Sequence, residues 1–293
     1  MQRPSTILTR LASYLELTKP RLTALALLSV GAGFWLGSSG TLSLARFLHT
    51  LLGAALIGGG GNALNQWAER DVDALMRRTQ SRPLPTGRVT PHDALWFGLM
   101  SALLGVLWLG WWVNPLCALL GLLTLVIYVG IYTPLKRRTA LCTLVGAIPG
   151  ALPPLIGWAG SRGALGLEAW MLFAILFLWQ LPHFLAIVWM YREEYARAGF
   201  RMLPVVDPDG ASTARQMVLY GLALLPTSLL PTIQGLTGPI YFVGTMTVGL
   251  WFVGTAVWAA RWRSCAVAHR LFLASVGYLP VVLLLMVLDK AVL

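Results

Sequence analysis

Nine stretches of the chain stay apolar for close to the length of a membrane crossing: 22–39, 47–66, 94–113, 115–132, 141–160, 165–191, 214–234, 239–260 and 271–288. A helix needs about 20 such residues to cross the hydrocarbon layer. Within that layer a helix satisfies its own backbone hydrogen bonds. The expected fold is therefore an all-α integral membrane protein of about nine transmembrane helices. Composition agrees, with 57% of the residues hydrophobic and 11% charged, against roughly 25% charged in a soluble domain. The fifth stretch contains Gly146, Pro149, Gly150, Pro153, Pro154 and Gly157 and is expected to break or kink. The sixth is long and carries Pro182.

A net charge of +11 can suggest nucleic acid, but its distribution argues otherwise. Of 22 Lys and Arg residues, 19 fall on one side of a nine-span topology, including Arg3, Arg10, Lys19 and Arg21 before the first span. Arg46, Arg162 and Lys290 fall on the other. Basic residues mark cytoplasmic loops, so the N-terminus is expected in the cytoplasm and the C-terminus outside, with no nucleic-acid partner. The charged start does not resemble a cleaved signal peptide. Cys117, Cys142 and Cys265 are far apart, which indicates neither a zinc site nor a disulfide framework.

Eight of the eleven acidic residues fall in or beside two cytoplasmic loops. Glu69, Asp71, Asp73 and Asp93 follow the second span; Glu193, Glu194, Asp207 and Asp209 follow the sixth. The pattern suggests one domain over 1–293 built as a pseudo-repeat, spans 1–4 and 5–8 with the ninth added. Such a repeat would bring both acidic loops to a shared cavity.

The first acidic stretch carries the chemistry. Asn65, Glu69 and Asp73 are spaced i, i+4, i+8, which stacks their oxygens on one helix face; Asp71 points elsewhere. Oxygen donors on one face suit Mg²⁺, whose shell is completed by water and substrate phosphate. Arg78 and Arg82, one turn apart if the helix continues, could hold phosphate oxygens in forked hydrogen bonds. The plain alternative is a polar loop with i, i+4 ion pairs. The second acidic stretch adds Tyr191, Glu193, Glu194 and Tyr195. Between the two, Lys136, Arg137 and Arg138 are either a topology signal or further phosphate contacts. His183 is read as a hydrogen-bonded interior histidine, a contact to a polar substrate or a haem ligand. The glycine run 58–61 reads as close helix packing. Trp67 and Trp179 are candidates to stabilise a carbocation through their ring faces.

The motif Asn65-x-x-x-Glu69-x-x-x-Asp73, with Met76, Arg78, Thr79, Arg82, Pro83 and Leu84, resembles the UbiA-type intramembrane prenyltransferases. Four further segments resemble the haem-prenylating branch of that family. They are Tyr132 and Thr133 with 135–139, 146–157 with Pro153 and Pro154, Trp179 and Gln180 with Pro182, His183 and Phe184, and 191–205. The resemblance covers nearly the whole chain. It implies a UbiA-type helical bundle in the bacterial cytoplasmic (inner) membrane, with active-site loops on the cytoplasmic side. It implies transfer of a farnesyl group from farnesyl diphosphate to a vinyl group of haem b, giving haem O and diphosphate for terminal oxidases. Haem b would be substrate rather than cofactor.

It further implies Mg²⁺ and diphosphate on Asn65, Glu69 and Asp73, with Glu194 as an additional metal ligand. Arg78, Arg82 and Lys136 would lie on the diphosphate, with Arg137, Arg138, His183, Tyr191 and Tyr195 lining the substrate site. Membrane lipids and haem-pathway or oxidase-assembly proteins are the implied partners. The chain departs from the family at Cys142, where Asn is usual, and at Glu193 and Glu194, where Asp is usual. Ala198 stands where the quinone-prenylating relatives complete a second aspartate motif. Rival readings are a prenyltransferase for an aromatic quinone precursor and a secondary transporter. The transporter reading predicts functional acids near the membrane midplane, whereas here they lie at span ends.

Overall fold

The computed structural model describes residues 7–40 and 42–291. Arg3 and both chain ends, on which part of the orientation argument rests, lie outside the described residues. The helices are α1 (Ile7–Leu17), α2 (Pro20–Gly37), α3 (Leu44–Asp73), α4 (Pro91–Trp112), α5 (Pro115–Leu125), α6 (Thr133–Leu135), α7 (Cys142–Ala151), α8 (Pro153–Arg162), α9 (Leu167–Met190), α10 (Arg192–Arg197), α11 (Leu203–Val206), α12 (Ala211–Ile233), α13 (Pro239–Trp262) and α14 (Cys265–Leu288). Among the described residues nine spans are long and apolar enough to cross a membrane. They are α2, α3, α4, Pro115–Leu135, Cys142–Arg162, α9, α12, α13 and α14, one for each apolar stretch of the sequence.

Three local features shape the site. The predicted break falls at Leu152, between α7 and α8; Pro153 and Pro154 bring no N–H to bridge it. Between α5 and α6 the coil widens to a π-helical stretch, Val126–Tyr132, which hydropathy does not signal. The third is the length of α3, which carries the acidic face to Asp73, well past the apolar run. There it stops, and the Thr79 hydroxyl donates to the Asp73 carbonyl at 2.8 Å. The helix therefore does not continue through Arg78 and Arg82: Arg78 sits in a turn and Arg82 in a bend, from which Arg82 reaches back to Asp73 at the end of α3.

Packing inside the bundle relies on small residues, as expected where lipid removes any hydrophobic drive between helices. A Cβ on Gly60 would stand 2.6 Å from the Ala102 nitrogen of α4, so α3 and α4 touch through backbone. At the α2–α8 crossing, Gly33 lies against the Pro154 carbonyl and Gly157 against the Val30 carbonyl. Outside the nine spans, α1 exposes Ile7, Leu8, Leu11 and Leu15 along one face, an apolar stripe of the kind that suits a membrane interface.

Candidate active site

The last two turns of α3 present Asn65, Glu69 and Asp73, all buried. Each oxygen donor meets a cation from a different segment. Lys19 Nζ donates to Asn65 Oδ1 at 2.9 Å. Lys136 Nζ donates to Glu69 Oε1 at 2.7 Å. Arg82 NH1 donates to Asp73 Oδ2 at 2.6 Å. Asp71, one residue off the face, is exposed and pairs loosely with Arg70 at 3.7 Å.

Lys19 is the member that sequence reasoning missed. It caps α2 in the left-handed region, with φ 49° and ψ 66°, a conformation that costs a non-glycine residue about 1–3 kcal/mol. The turn is held by α3. Asn62 Nδ2 donates to the Thr18 carbonyl at 3.1 Å and Gln66 Nε2 to the Leu17 carbonyl at 2.8 Å. Two carboxamides one turn apart thus fix the backbone that aims the ammonium at Asn65. Burial, and then the Arg82 charge, pull Lys19 from an ordinary 10.5 down to about 7, against the opposing pull of Glu69. The available signal was the repetition Asn62, Asn65, Gln66 on one helix end.

The π-helical stretch supplies the facing wall. Thr133 accepts from Asn65 Nδ2 at 3.2 Å, and Tyr128 donates to Asn62 Oδ1 at 3.3 Å. The Tyr128 and Tyr132 rings stack 6.0 Å apart, with the Lys136 ammonium 4.5 Å from the Tyr132 centroid. These tyrosines, rather than Trp67 and Trp179, are the aromatic faces beside the acids. Trp67 packs with Leu17, Leu84 and Ala94, and Trp179 donates to the Ser275 carbonyl at 2.7 Å.

A second layer joins the two acidic loops. Arg78 donates to the Tyr195 hydroxyl at 2.9 Å and sits over the Tyr191 and Tyr195 rings at 5.7 and 5.8 Å. Glu194 Oε2 accepts from the Arg78 backbone nitrogen at 3.4 Å. Among the described residues Glu194 makes no hydrogen bond to Asn65, Glu69 or Asp73. Arg137 and Arg138 are exposed, as is Glu193. His183 is not brought to the acids: its Nδ1 meets Ser275 Oγ at 2.7 Å, and at the α9–α14 contact it stacks on Trp179 and meets Phe272 at a tilt.

The donor set fits a hard divalent cation whose shell is completed from outside the protein. Among the described residues no group of three or more His, Cys, Asp or Glu could enclose a metal, whereas two carboxylates and a carboxamide line one helix face. Asp73 Oδ1 is buried without a hydrogen-bond partner, which suits a position that bonds an ion. Mg²⁺ takes one or two carboxylates plus phosphate oxygens in such sites.

Among the described residues, nine membrane-length spans in an all-helical bundle define an integral membrane protein, here with acids and cations paired at one end of its spans. The model of the UbiA prenyltransferase family matches residues 26–277, and the chain belongs to that family; it is an integral membrane prenyltransferase. It is 51% identical over 288 residues to a protoheme IX farnesyltransferase of Solibacter usitatus (strain Ellin6076), covering 94% of this chain and 98% of that protein. A protoheme IX farnesyltransferase of Koribacter versatilis (strain Ellin345) is 44% identical, covering 96% and 94%. A solved structure of digeranylgeranylglyceryl phosphate synthase superposes with a TM-score of 0.81 at 16% identity, covering 96% of this chain and 98% of that one. A UbiA homologue from Archaeoglobus fulgidus bound to GPP and Mg²⁺ superposes with a TM-score of 0.69 at 17% identity, covering 94% and 99%.

Proposed function

We propose that the protein transfers the farnesyl group of farnesyl diphosphate to a vinyl group of haem b, giving haem O and diphosphate. The observation that carries the reading is the facing of α3's acidic row by Lys19, Lys136 and Arg82. Such a site can hold a polyanion and its counter-ion together at the mouth of a membrane bundle. The relatives named protoheme IX farnesyltransferase support haem as the acceptor.

Asn65, Glu69 and Asp73 would hold Mg²⁺, which when bound supplies Lewis-acid charge neutralisation for the diphosphate. Lys19, Arg82 and Lys136 take up the negative charge that grows as the C1–O bond of the farnesyl ester breaks and the electron pair leaves with diphosphate. The Tyr128 and Tyr132 ring faces stabilise the allylic cation. The vinyl π electrons then form the new carbon–carbon bond, and water captures the cation left on the former vinyl group and loses a proton. Arg78, held by Glu194 and Tyr195, closes the loop side. Glu194 is thus assigned to positioning Arg78 rather than to metal binding. The meeting of the two acidic loops at Arg78 supports the two-half organisation, and the charge bias supports an inner-membrane protein with this end in the cytoplasm.

Purified protein incubated with haem b, farnesyl diphosphate and Mg²⁺ is expected to yield haem O by mass spectrometry. Prenylation of an aromatic quinone precursor, with haem b left unreacted, would overturn the assignment.

A further inference from the structure

The three basic residues that the charge bias leaves on the far side of the membrane come together in space. A cavity of about 360 Å³ opens between the α2–α3 turn and the end of α8, lined by Phe34, Ser38, Ser43, Arg46 and Arg162 among others. It lies at the opposite end of the bundle from the acids: Arg46 is in the first turn of α3 and Asp73 ends it, about 40 Å away at the helical rise. Lys290 reaches the same place from beyond α14, donating to the Ser38 carbonyl at 2.5 Å and the Trp35 carbonyl at 2.7 Å. Arg162 Nε donates to the Gly37 carbonyl at 2.7 Å.

Among the described residues no carboxylate pairs with any of the three. Asp289, next to Lys290 in the chain, instead accepts from the Tyr241 nitrogen at 2.6 Å. Burial, and then the Arg162 charge, hold Lys290 below the ordinary lysine range, so these cations feel one another. Lys290 and Arg162 have a structural explanation, since both bond carbonyls at the end of α2, where a helix favours positive charge. Arg46 has none. Its guanidinium is exposed and, among the described residues, makes no hydrogen bond or ion pair.

The surroundings are those of a bilayer interface. Trp35 is 43% exposed with the Lys290 ammonium 5.4 Å over its ring, and tryptophan is enriched at headgroup depth. Leu44 and Leu48 on the neighbouring turns of α3 are exposed, as lipid-facing residues are. Phe34 gives the cavity an apolar wall, and its volume far exceeds that of a water molecule. We infer that this cavity binds the phosphate of an anionic phospholipid headgroup, held between Arg46 and Arg162.

The test uses the full chain in detergent, with binding of phosphatidylglycerol, phosphatidylcholine and inorganic phosphate read by native mass spectrometry and thermal shift. Phosphatidylglycerol is expected to bind and raise the unfolding temperature more than phosphatidylcholine does. Arg46→Ala is expected to weaken its binding about fivefold, the scale of one basic residue near a lipid surface, and Arg46→Lys to retain most of it. Because Arg46 is exposed and far from the acids, turnover in detergent should be unchanged in both variants, which verifies folding. Equal binding of phosphatidylglycerol by Arg46→Ala and wild type would overturn the inference, as would no preference over phosphatidylcholine. Displacement of the lipid by inorganic phosphate at equal concentration would assign the site to free phosphate and overturn the lipid reading.

Discussion

Arg82→Ala removes the guanidinium that lies 2.6 Å from Asp73 Oδ2, and two separable effects are expected. The first is on the fold. Asp73 is 1% exposed, and its other oxygen already has no partner; without Arg82 the whole carboxylate is left unpaired. Removing one partner of a fully buried pair costs about 3–5 kcal/mol. Here the arginine side chain is 21% exposed, so water reaches the pair and the lower figure of about 1–3 kcal/mol for an orphaned buried group applies. The second effect is on the reaction. One preorganised donor on a developing anion is worth about 10²–10³ in rate, and kcat/KM for farnesyl diphosphate is expected to fall by roughly that factor. Arg82→Lys should recover only part, because one ammonium cannot hold Asp73 and an incoming phosphate oxygen through a single planar fork. The assay is steady-state turnover with each substrate varied in turn, beside thermal unfolding of each variant in detergent. Full rescue by lysine, or an equal loss of haem affinity, would refute the assignment of Arg82 to the leaving group.

Asp73→Ala and chelation by EDTA are both expected to abolish turnover in a protein that stays folded and membrane-inserted, the second reversibly on adding Mg²⁺; full activity in either case would sink the metal–diphosphate reading. Lys19 is expected to make stability depend on pH. The unfolded chain keeps that proton to about 10.5 and the folded one sheds it near 7, so the unfolded state binds more protons between those values and stability should rise with pH across them. Lys19→Met should flatten that rise in unfolding temperature; an unchanged slope would count against the buried ammonium. Gly60→Leu, whose Cβ would meet the Ala102 nitrogen at 2.6 Å, is expected to lower stability by at least about 1–3 kcal/mol. Gly254→Ala, which meets open space, should change it little, and equal melting of the two variants would contradict the backbone packing.

The sequence and the structure agree where physics is local or imposed by the bilayer. Spans are legible because the membrane demands length and apolarity, whatever the tertiary contacts. The acidic face is legible because Asn65, Glu69 and Asp73 share one helix, where spacing fixes direction. Reading fails where direction depends on a neighbour. Lys19 looks like one more cytoplasmic cation until a left-handed turn, held by Asn62 and Gln66, aims it at Asn65. Arg78 and Arg82 look like one helix face, yet both lie beyond the end of α3, and only Arg82 touches an acid of that helix. Glu194 looks like a second metal ligand by composition, but contacts Arg78. Helix α1 escaped because its 11 residues are about half the length of a span.

The wide coil at Val126–Tyr132 has an angular consequence. One residue beyond the α-helical count in a turn rotates everything after it by about 100° relative to an unbroken helix. Ahead of the stretch, Cys117 Sγ points at the Ile156 carbonyl of α8, 3.4 Å away; after it, Thr133 and Lys136 point at α3. A single rod is thereby keyed to two partners on different bearings. Gly130 lies within the wide turns, exposed, with open space where a Cβ would be. Deleting it would remove no side-chain contact, yet it would reset the phase of the rod and swing Lys136 away from Glu69. The direction in which Lys136 points is thus stored in how many residues separate Leu125 from Thr133, and a length change at exposed Gly130 is expected to disturb the Lys136–Glu69 contact as surely as a substitution of either residue.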